Sequence, residues 1–327
     1  MILVTGGSGF VGRAVVRRLK ELGHSVRVVV RHPEKIRSLP EFQGVELCAG
    51  DLSLPGGFSG ELFSGVQAVI HLVGIIWEPR KGAFNAVHVG ATRHVLDAAK
   101  LAGVKRIIHM SALGTRRHAA SRYHQTKWEA EELVRQSGMD WTIVRPSVIY
   151  GGGDGFVSTF ARIMRFPWNL LHGFVVPCFG KGNMKFQPVS VDAVAWAIAR
   201  SLTREEAVGK VFDLCGNRKW TLKEMLVAIA EALGLKPAWL ETAPEFYPVL
   251  VPWVLARGSR PVILTVPFWL GYAMAFVLER LPFPPPITAD QIIMLEEGNT
   301  GNSGEASEIL GFDPSDFGKD LPSFVGV

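Results

Sequence analysis

Short runs rich in Val and Ile alternate with helical patterns through the first half of the chain. Ile2–Thr5, Val26–Arg31, Val45–Gly50, Ala68–Leu72, Arg106–Ser111 and Thr142–Arg145 are apolar enough to predict strands buried on both faces. Between them, apolar residues at three- and four-residue spacing predict helices over Gly9–Leu22, Phe84–Leu101 and Ser121–Ser137. Such alternation predicts an α/β fold in which helices wind both faces of a parallel sheet. Arg145-Pro146 closes the sixth strand, because proline lacks a donor and restrains the residue before it.

The cluster Gly151-Gly152-Gly153 marks the exit from this sheet. The pattern therefore predicts a first domain over residues 1–150, rejoined by 186–215 through Phe186–Leu202 and Lys210–Leu214 before the chain leaves for good. Residues 151–185 and 216–327 form a second, smaller and mostly helical domain, expected to close over the ligand. Within it, the only charges between Phe246 and Leu278 are Arg257 and Arg260, and Pro261–Leu278 is an uncharged run of 18 residues. As one helix this run reaches about 27 Å, short of a hydrocarbon core of about 30 Å, and Pro267 and Gly271 shorten it further. Segment 246–278 is therefore read first as a helical hairpin docking on a membrane surface or a partner, with plain domain core as an equal reading. A buried lid over an apolar substrate ranks next, and a true span last.

Composition agrees with that placement. Hydrophobic residues make up 48% of the 327 positions and mean hydropathy is +0.20, at the apolar end for a globular chain. The formal charge of +5 favours anionic ligands or anionic lipid, but the cations are scattered without an arginine-rich run, which argues against nucleic acid. Cys48, Cys178 and Cys215 are odd in number and far apart, with no metal-ligand spacing, so they read as free thiols in a reducing compartment. No metal site is expected. The opening Met1-Ile2-Leu3-Val4 lacks a charged leader region, so a cytoplasmic protein is expected, with the inner face of the membrane as a peripheral location.

Thr5-Gly6-Gly7-Ser8-Gly9-Phe10-Val11-Gly12 stands between the first strand and the first helix. Glycines there let backbone approach a pyrophosphate, and the helix start offers free N–H groups and its positive dipole end. The position, as much as the glycines, predicts a Rossmann dinucleotide site at Thr5, Gly6, Gly9, Phe10, Val11 and Gly12. At the end of the second strand, where NAD-binding folds carry an acidic residue, stands Arg31. A guanidinium pairs with a 2′-phosphate, so NADP(H) is preferred and NAD(H) remains the alternative; an exposed strand-end arginine is the bland reading. Asp51 in Gly50-Asp51-Leu52 is placed to meet the adenine edge, or serves as a turn residue.

Tyr123 and Lys127 lie four apart in a helical pattern and share a face. An ammonium beside a phenol is expected to pull the phenol pKa down from about 10, making a general acid. Ser111, at the end of the fifth strand, is expected to point into the crevice and orient a carbonyl or hydroxyl. Alone, the Tyr-Lys pair is more often a solvated helix face; the order Ser111, Tyr123-Lys127, Arg145-Pro146-Ser147 favours a catalytic one.

These stretches, with Ile70-His71-Leu72-Val73-Gly74 and Ser111-Ala112-Leu113-Gly114, resemble the short-chain dehydrogenase/reductase family of the extended or atypical type. The resemblance implies that Leu52 accompanies Asp51 at the cofactor and that Leu72, Val73 and Gly74 pass near its ribose. It further implies that Lys127 holds the nicotinamide ribose and that Pro146 and Val148 flank the nicotinamide. Tyr150-Gly151-Gly152-Gly153-Asp154-Gly155-Phe156 and Leu281–Thr288 are similar to bacterial relatives of alpha-subcomplex subunit 9 of respiratory complex I. Two functions follow as expectations: an NADP(H)-dependent oxidoreductase acting on a small apolar carbonyl or hydroxyl substrate, or a non-catalytic accessory or assembly subunit of a membrane respiratory complex. A sugar-nucleotide epimerase or dehydratase is the third, weakened because only eleven residues separate Ser111 from Tyr123. His88 stands where relatives carry Asn.

Overall fold

The computed structural model describes residues 1–165, 174–236, 238–240, 261–281 and 285–325. The chain divides into two units: Met1–Ser147 with Val189–Cys215 and Gly301–Pro314, and Val148–Pro188 with Gly216–Thr300 and Ser315–Val327. The return of Gly301–Pro314 to the first unit is a crossing that the sequence pattern does not anticipate.

In the first unit, β1 (Ile2–Thr5), β2 (Val26–Val30), β3 (Glu46–Ala49), β4 (Ala68–His71), β5 (Arg106–Met110), β6 (Asp140–Pro146) and β7 (Lys210–Leu214) form one sheet in the order β7-β6-β5-β4-β1-β2-β3. Every pairing is parallel, and Thr5 aligns with both Val29 and His71, as His71 does with His109. The order reverses beside β1, the position at which open parallel sheets bind ligands past their carboxyl ends. Strands β1 and β4 are buried throughout, as their composition predicts. Strand β3 departs from that expectation: Glu46 and Ala49 are exposed because it is an edge strand, paired among the described residues with β2.

Helices α1 (Phe10–Glu21), α2 (Ala91–Leu101), α3 (Arg122–Arg135) and α4 (Val191–Ser201) cover the sheet. Val11, Ala14, Val15, Val16 and Leu19 give α1 its buried stripe. The chain leaves α1 through Gly23, whose φ of +78° favours glycine. Ser121 begins α3 by accepting the His124 N–H at 3.2 Å. The helix expected from Phe84 is not uniform: Asn85–Gly90 is wound as a π-helix, and regular α-geometry starts at Ala91.

The second unit has its own core, in which Tyr150, Val157, Met164, Trp220, Leu226, Ile263, Ile292 and Phe317 are buried. It combines helices with a small parallel sheet in which Pro261–Val266 lies between Phe174–Phe179 and Ala238–Leu240. Helices Leu222–Ala232 and Ala289–Glu297 each start with a reciprocal capping box, Thr221 with Glu224 and Thr288 with Gln291. The apolar segment therefore differs from the helical hairpin expected of it. Residues 246–260 lie outside the described ones; among the described residues of the segment, Pro261–Val266 is a strand and Phe268–Leu278 is helical. Among the described residues no helix is long and apolar enough to cross a membrane.

Candidate functional site

At the carboxyl edge of β1 the backbone turns tightly into α1. Gly6 has a φ of +74°, and a Cβ there would sit 2.9 Å from the Leu72 carbonyl carbon. At Gly12 a Cβ would lie 2.2 Å from the Gly6 carbonyl oxygen and 2.6 Å from the Gly7 Cα. Both glycines are required by close backbone approach rather than by turn propensity. Gly9 begins α1 without a side-chain cap, and the first turn holds no acidic residue. Uncapped N–H groups on a glycine-lined turn suit a pyrophosphate, so the residues present fit a dinucleotide.

The other expected residues gather around this edge unevenly. Thr5 is buried, Phe10 half-buried and Val11 buried in the core. Arg31 is exposed just past β2 and close enough to Asp51 to act on its charge. Asp51 Oδ1 accepts from the Ser53 backbone N–H at 3.0 Å and from Ser53 Oγ at 2.6 Å, the geometry of a turn. Burial opposes ionisation of Asp51, but these bonds and Arg31 outweigh it and hold its pKa below the usual range. Leu52 and Leu72 are buried, Val73 is half-buried and Gly74 is exposed. Pro146 ends β6, its carbonyl accepting the Leu113 N–H at 2.9 Å. Val148 belongs to the second unit, packed against that unit's core.

Lys127 is 2% exposed, with its ammonium donating to the Met110 carbonyl at 2.6 Å. Burial lowers its pKa to about 8, against the opposing pull of Glu131. Glu131 is itself fully buried and accepts both Arg145 Nε at 2.8 Å and Arg145 Nη2 at 2.6 Å, as well as Arg135 Nη2 at 2.6 Å. Ser111 is buried and its hydroxyl donates to Thr115 Oγ1 at 3.3 Å. Tyr123 is half-buried among the rings of Phe84, His88 and His124. Its pKa is raised to about 12 by burial, opposite to the lowering expected from Lys127. Desolvation of the phenolate among aromatic rings wins over a lysine whose ammonium is held by a backbone carbonyl.

Sequence reasoning passed over a buried polar line joining the ends of this site. Thr5 Oγ1 meets His71 Nδ1 at 2.7 Å, and His71 Nε2 meets Thr92 Oγ1 at 3.1 Å. Thr92 in turn donates to the His88 carbonyl at 2.6 Å. That spends the only Thr92 proton, so His71 carries its own on Nε2 and accepts from Thr5. Burial drives the pKa of His71 down to about 3 and that of His88 down to about 2, keeping both neutral. The signal available in sequence was the histidine directly before Leu72 and the one in place of Asn at position 88.

A parallel sheet reversing at a glycine-lined turn, with a lysine buried at its carboxyl edge, defines an NAD(P)H-binding protein. A family profile described as NAD(P)H-binding matches residues 6–160. The chain is 31% identical over 240 residues to the ceramide reductase of Caulobacter vibrioides, covering 72% of each chain. It is 29% identical over 309 residues to the mitochondrial NADH dehydrogenase [ubiquinone] 1 alpha subcomplex subunit 9 of Arabidopsis thaliana, covering 90% of this chain and 68% of the relative. The fold superposes on the UDP-glucose 4-epimerase of Thermotoga maritima with a TM-score of 0.68 at 21% identity, covering 99% and 97% of the two chains. The chain belongs to the NAD(P)H-binding short-chain dehydrogenase/reductase family of the extended or atypical type.

Proposed function

We propose that this protein is an NADP(H)-dependent oxidoreductase acting on a small apolar carbonyl or hydroxyl compound. The observation that carries the reading is Lys127, buried to 2% exposure on the helix of Tyr123 and bound to the end of the strand that precedes Ser111. In this reading Gly6, Gly9 and Gly12 hold the pyrophosphate and Arg31 the 2′-phosphate, while Lys127 holds the nicotinamide ribose. The bound nicotinamide supplies or accepts a hydride. Tyr123, kept protonated at neutral pH by burial, donates its proton to the substrate oxygen in the reducing direction and recovers it in the other. Lys127 stabilises the phenolate that this leaves, and Ser111 orients the substrate oxygen. Ile75, Ile76 and Trp77 continue from Gly74 at the end of β4, with Ile76 57% exposed, so the surface beside the site is apolar. The named substrate of the ceramide reductase relative is also largely apolar.

The test follows nicotinamide oxidation against a panel of aliphatic and aromatic carbonyls and quinones. Turnover that is lost in Tyr123→Phe and Lys127→Met supports the reading. Tightly bound NADPH that no member of the panel oxidises refutes it. Arg31→Asp is expected to reverse the preference between NADPH and NADH; an unchanged preference removes Arg31 from the site.

A second reading, a nucleotide-holding accessory subunit at a membrane complex, is favoured by the helix Phe268–Leu278. Trp269 is 62% exposed and Phe276 57%, with Met274 and Val277 also exposed and Arg280 stacked on Phe276 at 3.3 Å. That apolar face with a cation at its end suits an anionic lipid surface. Flotation with anionic vesicles, lost in a Trp269→Ser, Phe276→Ser double variant, supports it. Failure to float or to co-purify with a membrane complex refutes it.

A further inference from the structure

The π-wound segment Asn85–Gly90 turns His88 inward, where its ring touches two pieces of chain far apart in sequence. On one side Nδ1 lies 2.8 Å from Thr126 Oγ1, within the helix of Tyr123 and Lys127. On the other, Nε2 lies 3.2 Å from the Ile75 N–H nitrogen and 3.1 Å from the Ile75 carbonyl oxygen. A Cβ on Gly74 would stand 3.7 Å from His88 Nε2 and 3.8 Å from Lys127 Nζ, so the three groups converge on one point. Phe84 stacks on the ring at 5.3 Å and Tyr123 meets it edge-on at 5.4 Å, which leaves the imidazole little freedom to turn.

We propose that His88 is a positioning residue, a neutral clamp that fixes the Gly74–Ile75 segment against the Tyr123–Lys127 helix and so sets the nicotinamide half of the nucleotide site. The proposal rests on the reading that Leu72–Gly74 and Lys127 face the nicotinamide ribose. The proton inventory selects one tautomer. Thr126 Oγ1 lies 3.0 Å from the Arg122 carbonyl and 3.1 Å from that of Tyr123, and its hydrogen goes back to them. His88 then donates from Nδ1 to Thr126, and Nε2 accepts the Ile75 N–H. The opposite tautomer strands the Ile75 N–H, and an orphaned donor is the rarer event in folded proteins. His88 and His71 therefore carry their protons on opposite ring nitrogens, although Thr92 links them.

The experiment measures dissociation constants for NADPH and for 2′-phospho-ADP-ribose, which keeps the adenosine and pyrophosphate but lacks nicotinamide. His88→Ala is expected to weaken NADPH binding about tenfold and to leave 2′-phospho-ADP-ribose within about twofold, as for the loss of one or two hydrogen bonds. His88→Gln, whose amide takes the place of Nε2, recovers most of the loss because the Ile75 link reaches the nicotinamide side. Should His88→Ala not fold, Thr126→Val cuts the other link at constant volume and is expected to show a smaller loss, still confined to NADPH. Equal weakening of both ligands, or wild-type NADPH affinity in His88→Ala, overturns the clamp. A Lys127→Ala variant with unchanged NADPH affinity instead overturns the placement on which it rests. Long-range nitrogen-15 correlations of histidine-labelled protein are expected to show an Nδ1–H signature for His88 and Nε2–H for His71; Nε2–H at His88 overturns the assignment.

Discussion

His109 offers a direct measure of what the polar interior of the sheet costs. It ends one residue short of the carboxyl edge of β5, is 1% exposed, and stacks on His71 with ring centres 5.4 Å apart. Among the described residues neither of its ring nitrogens has a hydrogen-bond partner. His109→Leu removes one unpaired donor and one unpaired acceptor while roughly conserving volume. Each of the two unpaired groups costs about 1–3 kcal/mol, and the lost stacking takes back about 1 kcal/mol, so the variant is expected to be more stable at pH 7 by about 1–5 kcal/mol. The pH dependence is sharper. Burial first, then Lys127 and the neighbouring histidines, hold the His109 pKa well below its ordinary value. A depressed folded pKa means that the unfolded chain binds the proton first, so the stability present above about pH 6.5 is lost as pH falls. From an unfolded value of about 6.5, that loss reaches about 2 kcal/mol at pH 5. The advantage of His109→Leu is therefore expected to grow by about 2 kcal/mol between pH 7 and pH 5. Urea unfolding followed by tryptophan fluorescence at the two pH values reads both quantities. An advantage that is negative at pH 7, or constant with pH, refutes the assignment of His109 as a buried, neutral and unpaired group.

Three further outcomes follow. In Gly12→Ala the new methyl meets backbone at 2.2 Å, whereas at Gly9 the nearest atom is 3.3 Å away, so Gly12→Ala is expected to lose more than about tenfold in NADPH affinity and Gly9→Ala less; equal losses by titration contradict the cradle geometry. Glu131→Ala leaves Arg145 and Arg135 without their buried carboxylate and is expected to cost about 3 kcal/mol or more in urea unfolding, while lowering the Lys127 pKa further because Glu131 raises it. Lys127→Met removes an ammonium whose pKa burial lowers from 10.5 to about 8, a penalty of about 3 kcal/mol before the Met110 bond is counted. Wild type is then expected to gain stability as pH rises from about 8 to 10.5, since the unfolded chain holds more protons there, and Lys127→Met to show no such rise in urea unfolding across that range.

The sheet was legible because β-branched runs specify buried strands locally, and the cradle was legible because glycines at Gly6 and Gly12 are forced by backbone contacts that any occupant of the turn must meet. The apolar tail misled for a related reason. Hydropathy treats Pro261–Leu278 as one block, yet four of the five residues Val262-Ile263-Leu264-Thr265-Val266 are β-branched and the run pairs as a strand, while Phe268–Leu278, with a single β-branched residue, is helical past Pro267. The site was legible only in part. Spacing puts Tyr123 and Lys127 on one helix face, but the direction of the ammonium depends on the Met110 carbonyl, which belongs to another strand. The π-winding at Asn85–Gly90 was invisible because the spacing of apolar residues does not separate it from an α-helix, and the distant partners of His88 within it, Ile75 and Thr126, are not readable from its own sequence.

These irregularities share one location. Burial holds His71, His88 and His109 neutral and lowers the Lys127 pKa, and Glu131 is buried; all five lie on β4, the π-segment, β5 and α3, and each is a polar side chain kept where burial costs it solvation. Because the unfolded chain binds protons that the three histidines refuse in the fold, each of them withdraws stability as pH falls below about 6.5. A turn of glycines at a helix start is enough to hold a pyrophosphate and needs none of them. Polar burial on this scale is expected where side chains must be held in one geometry against a reacting group, and it is rare where a nucleotide is only kept. That cost runs from Thr5 of the cradle to the helix of Tyr123 and Lys127, and it fits the turnover proposed above better than storage.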